Sequence, residues 1–150
     1  MSRQLIERFY DAFAARDAAA MKRCYHPQIR FSDPVFPDLR GPDAMRMWRM
    51  LLKRSDDLSI VLGEHSAEGR QGAAHWTARY TFSRTGRSVV NEIDAAFVFE
   101  DGLIISHVDS FDFWKWSRMA LGTPGLILGW SPQLKKKIRA QSALMLAASE

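Results

Sequence analysis

Asp33 stands in the string Phe31-Ser32-Asp33-Pro34-Val35, where a short strand meets a proline. Proline has no N–H and keeps the residue before it out of helical space, so Asp33 is held extended at an element end. A carboxylate placed there points into whatever cavity the strand borders. The plainer reading is an aspartate that caps the turn before a proline. A second aspartate, Asp94, lies in an otherwise apolar run. Two carboxyl groups remote in sequence, each in apolar surroundings, are how one acid and one base are obtained near neutral pH. Near the end of the last strand-like run, His107, Asp109 and Phe111 share one face at period two. His107 with Asp109 reads either as an oriented imidazole base or as a polar pair satisfying each other at a pocket rim.

Other chemistry is less supported. His26, His65, His75 and His107 are scattered, and one His-x-Asp lacks further ligands at metal spacing, so no metal site is expected. Cys24 sits within a helical stretch with no activating base, which reads as core. Trp48, Trp76, Trp114 and Trp116 read as core, with one or two lining a pocket for a flat ligand.

The elements that must position these groups follow from periodicity. Leu5, Ile6, Phe9, Tyr10 and Phe13 have helical spacing, with Arg3, Glu7 and Arg16 on the other side. Asp17 is an N-cap for a second helix, Ala18 to Tyr25, that ends before Pro27. A short strand is expected over Ile29 to Ser32. Gly41-Pro42-Asp43 opens a third helix that buries Met45, Trp48, Leu51 and Leu52. The period then changes to two, over Leu58–Glu68, Ala74–Ser83, Val89–Phe99 and Leu103–Phe113, with Asp101-Gly102 a strong hairpin signal. Three helices followed by four antiparallel strands predict an α+β fold, with the helices on one face of a curved meander. Along 92–99, Glu92, Asp94, Ala96 and Val98 form one face, and Ile93, Ala95, Phe97 and Phe99 the other. Helices cover one face, so a homodimer through the other is expected.

At 150 residues the chain is one domain with room for a core, and 47% apolar with 25% charged residues is a soluble globular balance. A lone cysteine excludes an internal disulfide and points to a reducing, cytoplasmic setting. The charged residues of the first turns exclude a signal peptide, and no stretch approaches the roughly 18 apolar residues that span a bilayer. The net charge of +4 is uneven: residues 1–113 balance at −1, and residues 114–150 at +5. The basic excess therefore belongs to a C-terminal extension, which argues against a nucleic-acid-binding body. That extension holds an apolar, glycine-punctuated stretch over 119–130. A final helix begins at Ser131-Pro132 and carries Lys135, Lys136 and Lys137 on a solvated side. The stretch is read as a pocket cap or dimer arm, with contact to a membrane surface as the lesser option.

Helix, helix, short strand ending in Asp-Pro, helix, then a four-stranded meander resembles the nuclear-transport-factor-2-like cone. Within that superfamily the chain is similar to the ketosteroid isomerase and SnoaL-like polyketide cyclase group over about residues 3–113. Asp33-Pro34-Val35 falls on the isomerase Asp-Pro-Val, whose aspartate shuttles the proton. Asp94 falls on the second aspartate, which is kept protonated to donate to the developing oxyanion; these paired roles are the known ones of ketosteroid isomerase. Tyr25 matches a supporting tyrosine of some isomerases. Phe9 stands where the isomerases have their main oxyanion tyrosine, and Tyr10 beside it points about 100° away. Ser106-His107-Val108-Asp109 resembles the Glu-His-Trp-Asp-type ending of the cyclases, where an aspartate serves as acid/base. The resemblance sets His107 and Asp109 toward the cone interior.

The resemblance implies a domain over 1–116 and an extension over 117–150 that is not an independent domain. It implies an isomerase or cyclase that needs no cofactor and moves protons on a hydrophobic cyclic carbonyl compound. Asp33, Asp94, His107 and Asp109 would be catalytic, and Phe9, Tyr10, Tyr25, Trp48 and Phe111 would line the pocket. The alternatives are a non-catalytic binding module of the same fold, and a dehydratase or epoxide-hydrolase-like enzyme that uses His107 with Asp109.

Overall fold

The helical spacing near the N-terminus produces α1 (Ser2–Ala14), with Leu5, Ile6, Phe9, Tyr10 and Phe13 all buried. The computed structural model describes residues 2–129 and 131–149, with Leu126–Leu128 as backbone alone. Arg16 takes positive φ in the turn that follows, and its guanidinium donates to the carbonyls of Leu52 and Ser55. That bond satisfies carbonyls a helix C-terminus leaves open. α2 (Ala18–Cys24) starts as expected on Asp17, whose side chain accepts from the Ala20 amide at 3.0 Å. β1 (Tyr25–Ser32) begins four residues earlier than the sequence suggests. Pro27 donates no ladder hydrogen bond, and the pairing register shifts between Tyr25 and Arg30, which is how a strand accommodates proline.

After β2 (Leu39–Arg40), a short pairing not expected from sequence, α3 (Pro42–Arg54) buries Met45, Met47, Trp48 and Leu52. The long strands are β3 (Ser59–Glu68), β4 (Gln71–Phe82), β5 (Arg87–Glu100) and β6 (Leu103–Ser110). The β5–β6 turn places both Asp101 and Gly102 at positive φ, the conformation for which an Asp-Gly pair is suited. The strands form one six-stranded sheet in the order β2-β1-β6-β5-β4-β3, antiparallel except where β1 runs parallel to β6. The expected α+β cone is thus present: three N-terminal helices pack on one face of a curved, mainly antiparallel sheet.

The expected last strand to Phe113 stops at Ser110. Asp112 instead caps α4 (Phe113–Leu121), accepting from the Lys115 amide at 3.1 Å. α5 (Thr123–Leu128) follows, and Ser131 caps α6 (Pro132–Ala148) where expected. Trp130 lies outside the described residues. Two apolar clusters result. The larger fills the space between α1, α3 and the sheet; the smaller joins Val89 of β5 to Phe113, Trp116 and Ala120 of α4 and Ile138 of α6. Among the described residues no helix is long and apolar enough to cross a membrane.

Candidate functional site

The cone encloses a cavity of about 190 Å³ whose wall includes Asp33, Trp48, Trp76, Tyr80, Asn91 and Asp109. Each polar member arrives on a defined element. Asp33 ends β1, and its Oδ1 accepts from the amides of Val35 (2.7 Å) and Phe36 (2.6 Å). The capping and the functional readings of this aspartate therefore coexist. Both bonds go to one oxygen, and among the described residues no side chain donates to Asp33, so the other oxygen can serve the cavity. Burial lifts the Asp33 carboxyl from its ordinary 3.8 to about 7. The nearby Asp109 adds to the rise, while the Phe36 and Val35 amides and Arg139 oppose it. A carboxyl half ionised near neutrality is matched to accepting and returning a proton.

Asp109 arrives on the inward face of β6, opposite Ala95 of β5. Its Oδ1 accepts from His107 Nε2 at 2.9 Å and from Trp76 Nε1 at 3.4 Å. On its other side, His107 Nδ1 lies 2.8 Å from the Tyr25 hydroxyl, which accepts from Trp48 Nε1 at 3.0 Å. One assignment satisfies every member. The Trp48 indole donates to Tyr25, Tyr25 donates to Nδ1 of a neutral imidazole, and Nε2–H donates to ionised Asp109. His107 is fully buried. It does not border the cavity and meets it only through its hydrogen bond to Asp109.

The other expected pocket residues divide. Trp48 and Phe111 line the cavity. Phe9 and Tyr25 lie behind it, stacked with ring centroids 5.0 Å apart, and Phe9 meets His107 edge-on. Tyr10 packs against Trp76 and Phe97, and its buried hydroxyl has no partner among the described residues.

Asp94 requires a correction. Alternation along β5 buries Val89, Asn91, Ile93, Ala95, Phe97 and Phe99, which turns Asp94 to the outer face. There its side chain is 79% exposed and pairs with His75, which also bonds Glu92. The expected union of Asp94 with Asp33 in one pocket does not occur; Asp109 is the carboxyl that meets Asp33 there. The resemblance carried Asp94 inward against the period-two pattern of its own strand.

Tyr80 and Asn91 are cavity residues that sequence reasoning passed over. Tyr80 shares the inward parity of Trp76 on β4, and Asn91 is a polar residue on the inward parity of β5, so alternation held the signal for both. The Tyr80 hydroxyl accepts from Trp116 Nε1 at 2.8 Å, leaving its own hydrogen to donate. Burial raises the Tyr80 phenol above its ordinary range, so it stays protonated. Arg139, Ser142 and Met145 reach the site from α6; helical spacing puts Met145 on one side of that helix with Leu134 and Ile138, opposite the lysines, but no local pattern marks Arg139 or Ser142.

His26, Glu100 and Asp101 place three ligand-type atoms near one another at the surface, away from this cavity. Exposed acidic groups of that kind are common without an ion.

The family model described as a SnoaL-like domain matches residues 6–107. No curated protein matches the chain significantly. Among solved structures, an NTF2-like protein of unknown function from Burkholderia pseudomallei aligns with 22% identity and a TM-score of 0.68, covering 77% of this chain and 94% of its own. TerC, crystallised with polyporic acid, aligns with 16% identity and a TM-score of 0.68 over 77% and 95% of the two chains. An LEH-like epoxide hydrolase of M. tuberculosis aligns with 18% identity and a TM-score of 0.68 over 84% and 92% of the two chains. At such identities these likenesses speak for the NTF2-like fold.

Proposed function

We propose that this chain, which belongs to the SnoaL-like domain family, is an enzyme that moves a proton on a small hydrophobic carbonyl compound, with Asp33 as the base. The observation that carries this reading is the Asp33 carboxyl, bordering an apolar cavity and lifted by burial to about 7. Ionised Asp33 takes the proton from the carbon next to the carbonyl, and the electron pair left behind moves onto the carbonyl oxygen. Tyr80 and Asn91, both on the cavity wall, are the donors offered to that oxygen. Returning the proton at another carbon completes an isomerisation; attack of the enolate carbon on a second carbonyl, whose oxygen takes the electron pair and then the proton held by Asp33, completes a cyclisation. Asp109, held by His107 and Trp76, keeps a second charge in the site and sustains the raised affinity of Asp33 for its proton.

The test is exchange of the α-protons of 2-tetralone in D2O, followed by NMR. Asp33→Asn is expected to slow the catalysed exchange by roughly 10²-fold or more, the scale of a lost general base. Equal rates in the two proteins would remove Asp33 from the chemistry.

A second reading is a binding module that holds a hydrophobic ligand without turning it over. It is favoured by Phe9, which offers no hydrogen-bond donor where the isomerases have theirs. Ligand binding with no exchange in the wild type would select it. An epoxide-hydrolase-like variant would have to activate water on Asp109, because both ring nitrogens of His107 are occupied. We also propose that the chain forms a homodimer and works in the cytoplasm; sedimentation of the purified chain tests the first.

A further inference from the structure

The residues after the cone wall in its cavity. Ser142 and Met145 of α6 and Trp116 of α4 all line it, together with Asp33 and Asp109. α6 is anchored at both ends of its inward face. Ile138 is buried in the smaller apolar cluster and Leu146 in the larger one. Ser142 and Met145 fall between them at helical spacing.

Two polar ties reinforce that seat. Arg139 Nε donates to the Pro34 carbonyl at 2.7 Å, which joins α6 to the turn holding Asp33. Gln141 accepts from the guanidinium of Arg84, on the turn between β4 and β5. With α6 seated, about 190 Å³ remains. Pockets for drug-sized ligands run to roughly 300–1,000 Å³, whereas an engineered cavity of about 150 Å³ holds benzene.

From this closure we infer that α6 is the specificity wall of the site, latched through Arg139 to the Asp33 turn, and that it limits the occupant to a compact one- or two-ring carbonyl or phenolic compound. The inference rests on the reading of this cavity as the substrate site, and it excludes four-ring compounds while α6 is in place. A fused four-ring ligand would need Met145 displaced, the Arg139–Pro34 bond broken and Leu146 drawn out of the core. A two-ring ligand needs none of these. Its oxygen would face Tyr80, Asn91 and Asp33, and its rings would lie against Trp48, Trp76 and Met145.

The test is titration calorimetry on the full chain with two phenols, 2-naphthol with two rings and estradiol with four. The wild type is expected to bind 2-naphthol at least 100-fold more tightly than estradiol. Met145→Ala should narrow that gap at least tenfold. Arg139→Gln, which removes the bond to Pro34 but no buried apolar side chain, should speed 2-naphthol dissociation in stopped flow at least tenfold with the circular dichroism unchanged. Estradiol binding within tenfold of 2-naphthol in the wild type overturns the inference, as does failure of both phenols to bind. So does a gap and an off-rate that neither variant moves. The size gap does not depend on proton transfer: unchanged α-proton exchange in Asp33→Asn would sink the catalytic reading and leave the gap standing.

Discussion

His107 donates from Nε2 to Asp109 Oδ1 at 2.9 Å in a buried pair whose carboxylate borders the cavity. The pair lies one strand away from Asp33, since β1 runs beside β6 and Phe31 is the register partner of His107. Each carboxylate takes its two donors on one oxygen, Asp109 from the His107 and Trp76 side chains and Asp33 from the Val35 and Phe36 amides. Both line the cavity, and it is the Asp33 carboxyl that burial lifts to about 7.

That arrangement makes the stability of the fold depend on pH through Asp33. Its folded pKa of about 7 lies above the ordinary 3.8, so the folded chain binds this proton more tightly than the unfolded one. Stability from this group is therefore greatest below about pH 4, falls as pH rises to about 7, and is level above. The full span is on the order of 4 kcal/mol. Asp33→Asn keeps an oxygen for the Val35 and Phe36 amides but cannot ionise. The variant is expected to be more stable than the wild type in denaturant at pH 8 and equal to it at pH 4; a reversed order at pH 8 would contradict the buried carboxyl.

Turnover should carry the same signature with the opposite sense. If ionised Asp33 is the base, kcat/KM for α-proton exchange rises through about pH 7 and is flat above it. A profile without that limb, measured between pH 5 and 9, would place the base elsewhere.

Tyr25→Phe tests the buried chain of donors. The substitution leaves Trp48 Nε1 and His107 Nδ1 without their shared partner inside the core. Each orphaned group costs about 1–3 kcal/mol, so a loss of about 3 kcal/mol in urea unfolding is expected. A loss below 0.5 kcal/mol, roughly the scatter of neutral surface changes, would mean that water takes the place of the hydroxyl.

Tyr10→Phe should behave in the other direction. The Tyr10 hydroxyl is buried with no partner among the described residues, so removing it relieves a desolvation cost of about 1 kcal/mol. Urea unfolding of this variant should show a midpoint equal to or above that of the wild type; a drop would reveal a hydrogen bond to ordered water.

Asp94→Asn separates the outer face from the cavity. Hydrogen bonds that the imidazole donates to Asp94 and then Glu92 hold the His75 pKa above its ordinary value. The substitution should lower the His75 pKa in NMR titration, change stability by no more than about 0.5 kcal/mol, and leave α-proton exchange untouched. Loss of exchange would return Asp94 to the chemistry.

Much of this architecture could be read from spacing alone. The buried stripe of α1, the Asp17 and Ser131 caps, Pro42 at the start of α3 and the Asp-Gly hairpin are local signals, because capping, turn geometry and periodicity are decided within a few residues. The start of β1 and the end of β6 were less legible. Pro27 reads as a break until a register shift accommodates it, and the run from Leu103 continues in apolar residues past the point where Asp112 caps a helix.

By itself, then, the sequence determined the α+β cone, the extended carboxyl-bearing segment after β1, and the shared face of His107, Asp109 and Phe111. Which carboxyl meets Asp33, and what closes the cavity, only the tertiary structure decided. A strand's alternation says which residues share a face but not which face turns inward; that depends on helices packed from elsewhere in the chain. Asp94 and Asp109 sit on opposite faces of neighbouring strands, so the choice that buried Asp109 exposed Asp94. The seat of α6 is less local still, because its tie from Arg139 to Pro34 spans 105 residues and no short pattern encodes a contact at that range.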